Sequence, residues 1–292
     1  MSTSDPYIFA TSHAESIVKG LKISALPVNP RRVAEELDFV VQAKPVEDRG
    51  CSGMLVRYGN NFAIAYATHL QNEGFENFSI AHELGHYYIP GHPEALIPGE
   101  QGTHVSRAGF NSGDRYEAEA DRFAAGFLMP RHLFFPELEK AGKGLEAIEV
   151  LSFLCKTSLH ATAIRFAQCT RDHMAIVISE GGTVDHCFMS EALKQVRGID
   201  WLRKGQGLPA CSSTLAFNRD PDRIAHAERV QDFSNLQDWF GGRRTIEIRE
   251  DVVGLGSYGK TLTVLYDIDV PEEEEEDDES RLIDSWTPSF RS

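Results

Sequence analysis

The segment His82–His86 has the sequence H-E-L-G-H and lies in an apolar run, residues 75–89, that contains no proline and ends at Pro90. Such a run predicts a helix. On a helix, residues four apart lie above one another, so both imidazoles project from one face and can bind the same metal ion. Glu83 is rotated about a third of a turn away. It can therefore reach a water molecule on the metal without being a ligand.

A metal site with two histidines needs a third protein ligand, and the next helical segment, residues 114–130, offers carboxylates. Its apolar residues follow the three-and-four spacing of a buried stripe, and Glu117 and Asp121 lie one turn apart beside that stripe. A carboxylate beside a packed face is costly unless it is paired or ligates a metal. We therefore predict Glu117 as the third ligand and Asp121 as the acceptor for the free N–H of a ligand histidine. The alternative is a solvated acidic face that also includes Asp114 and Glu119.

These two helical motifs together resemble those of the ImmA/IrrE family of metallopeptidases. The second motif reads E-x-E-A-D-x-F-A-A-x-x-L-M-P over Glu117–Pro130. A proline–valine followed by A-x-x-L, within residues 26–37, is similar to the N-terminal helix of the family. The resemblance covers residues 12–168, a little over half of the chain. It departs from the family pattern at Phe78, where an arginine is expected.

The resemblance implies a zinc-dependent endopeptidase of the gluzincin type, often a regulator that cleaves a transcriptional repressor or an antitoxin. Residue by residue, it implies His82 and His86 as zinc ligands, Glu83 as the general base and Glu117 as the third ligand. We therefore expect Zn²⁺ as the cofactor and a specific intracellular protein as the substrate. A zinc-containing regulatory binding protein without hydrolytic turnover is the alternative, because both classes would carry the same residues.

Composition and cysteine usage predict a cytoplasmic protein without membrane contact. The chain has 292 residues, 41% of them hydrophobic and 25% charged, which is typical of globular proteins. It contains no apolar stretch of about 18 residues, and its N-terminus lacks the layout of a signal peptide. The five cysteines are odd in number, widely spaced and never in a C-x-x-C pattern. Free thiols in a reducing compartment are therefore expected.

The net charge of −15 is concentrated near the C-terminus, where Glu272–Glu279 is an uninterrupted run of eight carboxylates. Without this run, 36 acidic residues remain against 29 basic ones, a net charge of −7. We expect residues 271–292 to form a disordered acidic tail, because like charges repel and few apolar groups can be buried. The rest of the chain has no excess of basic residues, which phosphate binding favours, so direct nucleic-acid binding is not expected.

The chain is predicted to have an α+β fold in three parts. Residues 1–170 would form a zincin-like metallopeptidase domain, with a small sheet and the zinc-binding helices. Residues 171–270 would form a smaller α+β module, for which a regulatory or substrate-selecting role is the hypothesis. Residues 271–292 are the acidic tail.

Apolar and alternating runs predict strands at residues 39–43, 51–58, 62–67, 175–179, 183–188, 245–250 and 260–266. Gly59–Asn61 predicts a hairpin turn. Residues 62–67 are predicted as the edge of the first sheet, where an extended peptide could add as a further strand. The glycine- and proline-rich residues 90–113 are predicted as a loop over the site, and residues 223–240 as a helix.

The sequence leaves open which residue would stabilise an oxyanion. Tyr87, Tyr88, His92 and His104 are near the first motif in sequence, and His104 is also an alternative third ligand. Packing at the helix end is the alternative role of the tyrosines, and a solvated loop that of the histidines.

Overall fold

The computed structural model has two β-sheets surrounded by helices, which confirms the predicted α+β class. The predicted acidic tail lies outside the described residues. The structure describes residues 6–44, 51–69, 72–106, 114–242 and 245–270.

The helices and strands have the following bounds in chain order. The helices are α1 (Pro6–Gly20), α2 (Pro30–Glu36), α3 (Glu73–Tyr88), α4 (His92–Leu96), α5 (Arg115–Leu128), α6 (Arg131–Ala141), α7 (Gly144–Cys155), α8 (Leu159–Cys169), α9 (Glu191–Lys194), α10 (Ser213–Asn218), α11 (Pro221–Ala225) and α12 (Leu236–Phe240). The strands are β1 (Val40–Ala43), β2 (Gly53–Tyr58), β3 (Asn61–Tyr66), β4 (Gln101–Ser106), β5 (Ala175–Glu180), β6 (Thr183–Met189), β7 (Arg229–Asn235), β8 (Glu247–Gly254) and β9 (Thr261–Tyr266).

The first sheet has the strand order β1-β3-β2-β4. β2 and β3 form the predicted antiparallel hairpin, and Gly59, with a φ of 61°, supplies its left-handed turn residue. β1 pairs with β3 in parallel, and β4 pairs with β2 antiparallel. The prediction that residues 62–67 form the sheet edge is therefore wrong, because β3 lies between two strands.

The region predicted as a loop, residues 90–113, contains α4 and β4 in its described part. β4 has the sequence Q-G-T-H-V-S, with a single apolar residue and no alternating pattern that would have predicted it. Pairing with β2 along the whole strand defines it instead. In that register His104 lies opposite the buried Leu55, so it is on the inner face of the sheet.

Helix α3 packs closely against α5. It begins at Glu73, two residues before the predicted start at residue 75, and the side chain of Asn72 caps its N-terminus. At Gly85 a Cβ would lie 3.2 Å from the side chain of Phe123 and 3.3 Å from Cα of Ala120. A glycine at this crossing lets the two helix backbones approach, which brings the histidines of α3 near the first turn of α5.

The second sheet is antiparallel, with the order β6-β5-β9-β8-β7. Four of its strands lie where the sequence predicted strands: β5 and β6 form a hairpin, and β8 pairs with β9. The prediction of one helix over residues 223–240 is wrong. Ala227 has a left-handed φ of 52°, which interrupts the helix after α11. β7 then pairs along its whole length with β8 before α12 begins.

One hydrophobic cluster extends across residue 170 and joins the two sheets. It includes Leu84, Phe127, Ile176, Leu262 and Val264, from α3, α5 and the second sheet. The helices α7 and α8 pack against strands of that sheet. The division into residues 1–170 and 171–270 stays a prediction. Its boundary places the two sheets in different parts of the chain, although both sheets contribute to one apolar core.

No helix among the described residues is by itself long and apolar enough to cross a bilayer. Taken as a pair, α7 and α8 reach that length and composition, but they meet at a bend of 111°. Ala161, Ala163 and Phe166 of α8 are buried in the shared cluster.

Candidate metal centre

The side chains of His82, His86 and Glu117 converge and could hold one metal ion. One donor atom from each lies within 4.8 Å of the other two. The histidines come from successive turns of α3, and the glutamate comes from the first turn of α5. Both imidazoles are buried, and the side chain of Glu117 is 14% exposed. These are the three residues that the sequence predicted as ligands.

The spacing of the three donors suits a tetrahedral ion. The Nε2 atoms of His82 and His86 are 3.0 Å apart. Glu117 places Oε2 3.3 Å from His82 Nε2 and Oε1 3.3 Å from His86 Nε2. In a tetrahedral site with bonds of about 2.0–2.1 Å, the ligand atoms lie about 3.3 Å apart. Two imidazoles, one carboxylate and an open fourth position form a donor set of catalytic zinc sites, so the residues fit such an ion.

Asp121 orients His82. Its Oδ1 lies 2.9 Å from His82 Nδ1, so this nitrogen donates its hydrogen to the carboxylate and leaves Nε2 for a metal. Asp121 follows Glu117 by one turn of α5, which brings both carboxylates to the same histidine. This contact is the one that the sequence predicted for Asp121.

Glu83 is wholly buried, and neither carboxylate oxygen has a hydrogen-bond partner among the described residues. A buried carboxylate without a partner is costly, and a water molecule held beside it would lower that cost. Gly53 of β2 faces this carboxylate, because a Cβ at that position would lie 2.3 Å from Glu83 Oε1. The glycine therefore leaves the space that the carboxylate occupies.

Burial and neighbouring charges shift the pKa values of these groups in different directions. Burial raises the pKa of Glu83 to about 7 and lowers the pKa of His86 to about 3. Burial also acts to lower the pKa of His82, but hydrogen bonds with Asp121 and Glu117 outweigh it and raise that pKa to about 10. For Glu117, burial acts to raise the pKa, but hydrogen bonds with three histidines hold it well below its usual range.

His104 of β4 contacts Glu117 at the edge of the site. Its Nε2 lies 2.8 Å from Glu117 Oε1, and its ring centroid is 4.5 Å from that of His86. The convergent group contains Glu117 and not His104. The geometry therefore favours Glu117 as the third ligand and makes His104 a partner of that carboxylate.

The two tyrosines predicted as candidates for oxyanion stabilisation pack against aromatic rings. Tyr87 lies edge-on to Phe39 and Phe62, with centroid distances of 4.9 and 5.0 Å. Tyr88 stacks on Phe123 at 5.9 Å. These contacts correspond to the packing role that was the alternative for both tyrosines.

Sequence reasoning missed that His92 and Glu119 meet behind His86. The contact depends on the turn after α3, where Gly91 has a φ of 89°. Glycine after proline signals a turn in the sequence, but it does not show which side chain the turn directs toward α3.

Comparisons with known proteins cover the part of the chain that carries this candidate site. Residues 34–166, which include both helices of the metal centre, match the model of the family Peptidase_M78, the IrrE N-terminal-like domain. No curated protein sequence matches the chain significantly. A solved structure of a Mycobacterium tuberculosis transcriptional regulator is similar in fold, with a TM-score of 0.56 and 14% identity over 88% of this chain and 76% of that chain. The match over residues 34–166 supports membership of the Peptidase_M78 family of IrrE N-terminal-like domains.

Proposed function

We propose that the protein is a zinc-dependent endopeptidase that cleaves a specific intracellular protein. The observation that carries the proposal is the convergence of His82, His86 and Glu117 beside the unpaired carboxylate of Glu83. The match of residues 34–166 to a peptidase family supports peptide-bond hydrolysis. The cysteines are free, which suits a reducing compartment such as the cytoplasm.

The chemistry follows from the positions of the side chains. Zinc bound by the three donors would polarise the scissile carbonyl and make a water molecule more acidic. Asp121 would hold His82 with Nε2 facing the ion. Glu83 would accept a proton from the attacking water and deliver it to the leaving amine.

The edge strand β4 supports an extended protein segment as the substrate. The N–H of Gly59 donates to the carbonyl of Glu100, and these two residues are the next pair after Tyr58 and Gln101, the last residues paired between β2 and β4. Because antiparallel strands alternate, the N–H groups of Thr103 and Val105 then point away from β2. A peptide that pairs with this edge would lie beside His104. We propose a transcriptional repressor or an antitoxin as this substrate, on the strength of the family resemblance.

The substitution Glu83→Gln tests the proposal. The purified protein should contain about one zinc ion per chain. The variant should keep its fold and its zinc, while cleavage of a transcriptional repressor or antitoxin that the wild type cleaves should fall about 100-fold or more. Elemental analysis and timed gel assays measure the two effects. Glu94→Gln, at an exposed position on α4, is the control and should cleave like wild type. Unchanged cleavage by Glu83→Gln would refute the peptidase mechanism.

A second candidate is a zinc-containing regulatory binding protein without hydrolytic turnover. The observation that favours it is the fold similarity to a protein described as a transcriptional regulator, which extends beyond the residues of the family match. Both candidates require the metal centre, so zinc content does not separate them. The second candidate would be favoured if the wild type binds a transcriptional repressor or antitoxin tightly without cleaving it, and if Glu83→Gln binds it equally well.

A further inference from the structure

The ring nitrogen of His86 that is not in the candidate metal centre, Nδ1, contacts a second histidine. His86 Nδ1 lies 3.2 Å from His92 Nδ1, and the ring centroids are 5.4 Å apart. His92 Nε2 lies 3.0 Å from Glu119 Oε2, and the other carboxylate oxygen of Glu119 accepts a hydrogen bond from Arg115 Nε. The three residues His92, Glu119 and Arg115, called the His92 relay below, connect His86 to the start of α5.

The fold buries His92 and Glu119, the two residues of the relay nearest His86. The left-handed turn at Gly91 reverses the chain after α3, so that His92 returns against the helix that carries His86. His92 is 1% exposed and Glu119 is 4% exposed. The ring of Tyr116 lies edge-on to His92 at 5.0 Å. Because a polar group that is buried must be hydrogen-bonded, His92 depends on the contacts with His86 and Glu119 for its place in the structure.

One arrangement of hydrogens lets His86 bind an ion through Nε2. Nδ1 of His86 must then carry the hydrogen of the neutral ring and donate it to His92 Nδ1. Since His92 Nδ1 accepts, the hydrogen of His92 is on Nε2, which donates to Glu119. Arg115 donates to the second oxygen of that carboxylate. Each ring N–H of the two histidines then meets an acceptor.

We propose that His92 and Glu119 are positioning residues that fix the tautomer and the ring orientation of His86 for zinc binding. The inference rests on the zinc site of the proposed function. The two proposed ligand histidines then have different hydrogen-bond partners. His82 contacts the carboxylate of Asp121 directly, whereas His86 contacts His92, which in turn contacts the carboxylate of Glu119. In the reverse arrangement, His92 donates from Nδ1, the hydrogen of His86 moves to Nε2, and one ligand is lost.

Zinc affinity and the spectrum of cobalt-substituted protein test the inference without a substrate. In competition with a chromophoric chelator, His92→Phe should bind zinc about 10- to 100-fold more weakly, because the ring remains but the acceptor is lost. The absorption bands of bound Co²⁺ should also change. His92→Asn places an oxygen near the position of Nδ1 and should recover part of the affinity. His132→Phe, at an exposed position of α6, is the matched control and should bind zinc like wild type.

The outcomes separate this inference from the proposed function. Wild-type zinc affinity and an unchanged cobalt spectrum in folded His92→Phe would overturn the relay, while cleavage by the wild-type protein would leave the peptidase standing. If His92→Phe does not fold, nitrogen–proton NMR of the zinc-loaded wild type decides. It should show the ring hydrogens on His86 Nδ1 and His92 Nε2, and a hydrogen on His92 Nδ1 would overturn the proposal. A wild-type protein that binds no zinc would overturn both.

Discussion

Glu83 can occupy its buried position because Gly53 of β2 has no side chain. A Cβ there would lie 2.3 Å from Glu83 Oε1 and 3.0 Å from Glu83 Cγ, and the three nearest atoms all belong to this glutamate. Gly53→Ala should therefore displace the carboxylate and lower hydrolysis by about tenfold or more, part of the effect of a general base. Zinc content should not change, because the added methyl group acts on Glu83. Cleavage assays and elemental analysis measure both quantities.

Gly207→Ala is the matched control for this substitution, because a Cβ at Gly207 meets nothing within 4 Å. It should cleave substrate like wild type. If Gly53→Ala also cleaves like wild type, Glu83 can move without loss of activity, and its role as the base would be contradicted.

The candidate ligands could be predicted from the sequence because their spacing is local. His82 and His86 lie one helical turn apart, and so do Glu117 and Asp121. The role of Gly53 could not be predicted in this way, because its contact joins a strand to a helix. The partners of His86 were missed for a related reason, since a left-handed turn and a second helix bring them to it.

At the scale of elements, β4 is the outer strand of the first sheet among the described residues, and the proposed substrate would pair with its outer edge. Thr103→Pro removes one N–H that points away from β2, so pairing with β2 should survive. The preceding residue is Gly102, which tolerates the restriction that proline imposes. We expect KM for a protein substrate to rise about tenfold, which corresponds to the loss of about one hydrogen bond at the upper end of its range. Zinc content should stay unchanged.

Thr103→Val is the matched control, because it keeps the backbone N–H and removes only the hydroxyl group. Its KM should equal that of wild type. An unchanged KM in Thr103→Pro would contradict the pairing of substrate with β4, and a rise in both variants would indicate a role for the side chain instead.

Asp185 of β6 forms ion pairs with Lys260, which precedes β9, and with Lys204, which lies between α9 and α10. Its carboxylate lies 2.5 Å from Lys260 Nζ, 2.7 Å from Lys204 Nζ and 3.2 Å from His186 Nδ1. Burial acts to raise the pKa of Asp185, but hydrogen bonds from both lysines outweigh it and hold the pKa well below its usual range. Such a carboxylate stabilises the fold above its unfolded pKa of about 4, and the contribution is lost as the pH falls through the folded pKa.

Asp185→Asn should therefore lower the free energy of unfolding near neutral pH by about 1.5 kcal/mol. This is the lower end of the range for hydrogen bonds to charged groups, because the side chain of Lys204 is 62% exposed. The difference from wild type should shrink below about pH 4. Urea unfolding across this range measures it, with exposed Asp269→Asn as the control. A difference that stays constant down to about pH 2 would contradict the assignment.

The elements could be predicted where apolar patterns are strong. The hairpins of β2 with β3 and of β5 with β6 follow from apolar runs around turn residues. β4 could not be predicted, because its side chains give no pattern and its pairing with β2 defines it. The prediction of one helix over residues 223–240 was wrong because the apolar residues of α11, β7 and α12 together have the spacing of one amphipathic helix.

At the scale of the whole molecule, the two sheets share apolar contacts. Successive side chains on a strand point to opposite faces. On β9, Leu262 and Val264 face the cluster shared with the part that carries the candidate metal centre, and Leu265 belongs to a second cluster with Trp239 and Phe240. The second sheet therefore packs against a hydrophobic core on each of its two faces. The predicted boundary near residue 170 follows the change of architecture, but no sequence pattern shows on which element an apolar strand face will pack.

Truncation after Thr170 tests whether the two parts fold separately. Five residues of the second sheet lie in the shared cluster: Ile176, Ile178, Val253, Leu262 and Val264. Each buried side chain of this kind contributes about 1.5–3 kcal/mol, so their loss is comparable with a total stability of about 5–15 kcal/mol. We expect the fragment 1–170 to aggregate or stay unfolded, and the full chain to unfold in one calorimetric transition. A soluble fragment that binds zinc and unfolds cooperatively would contradict this expectation, and the metal-binding part would then be an independent domain.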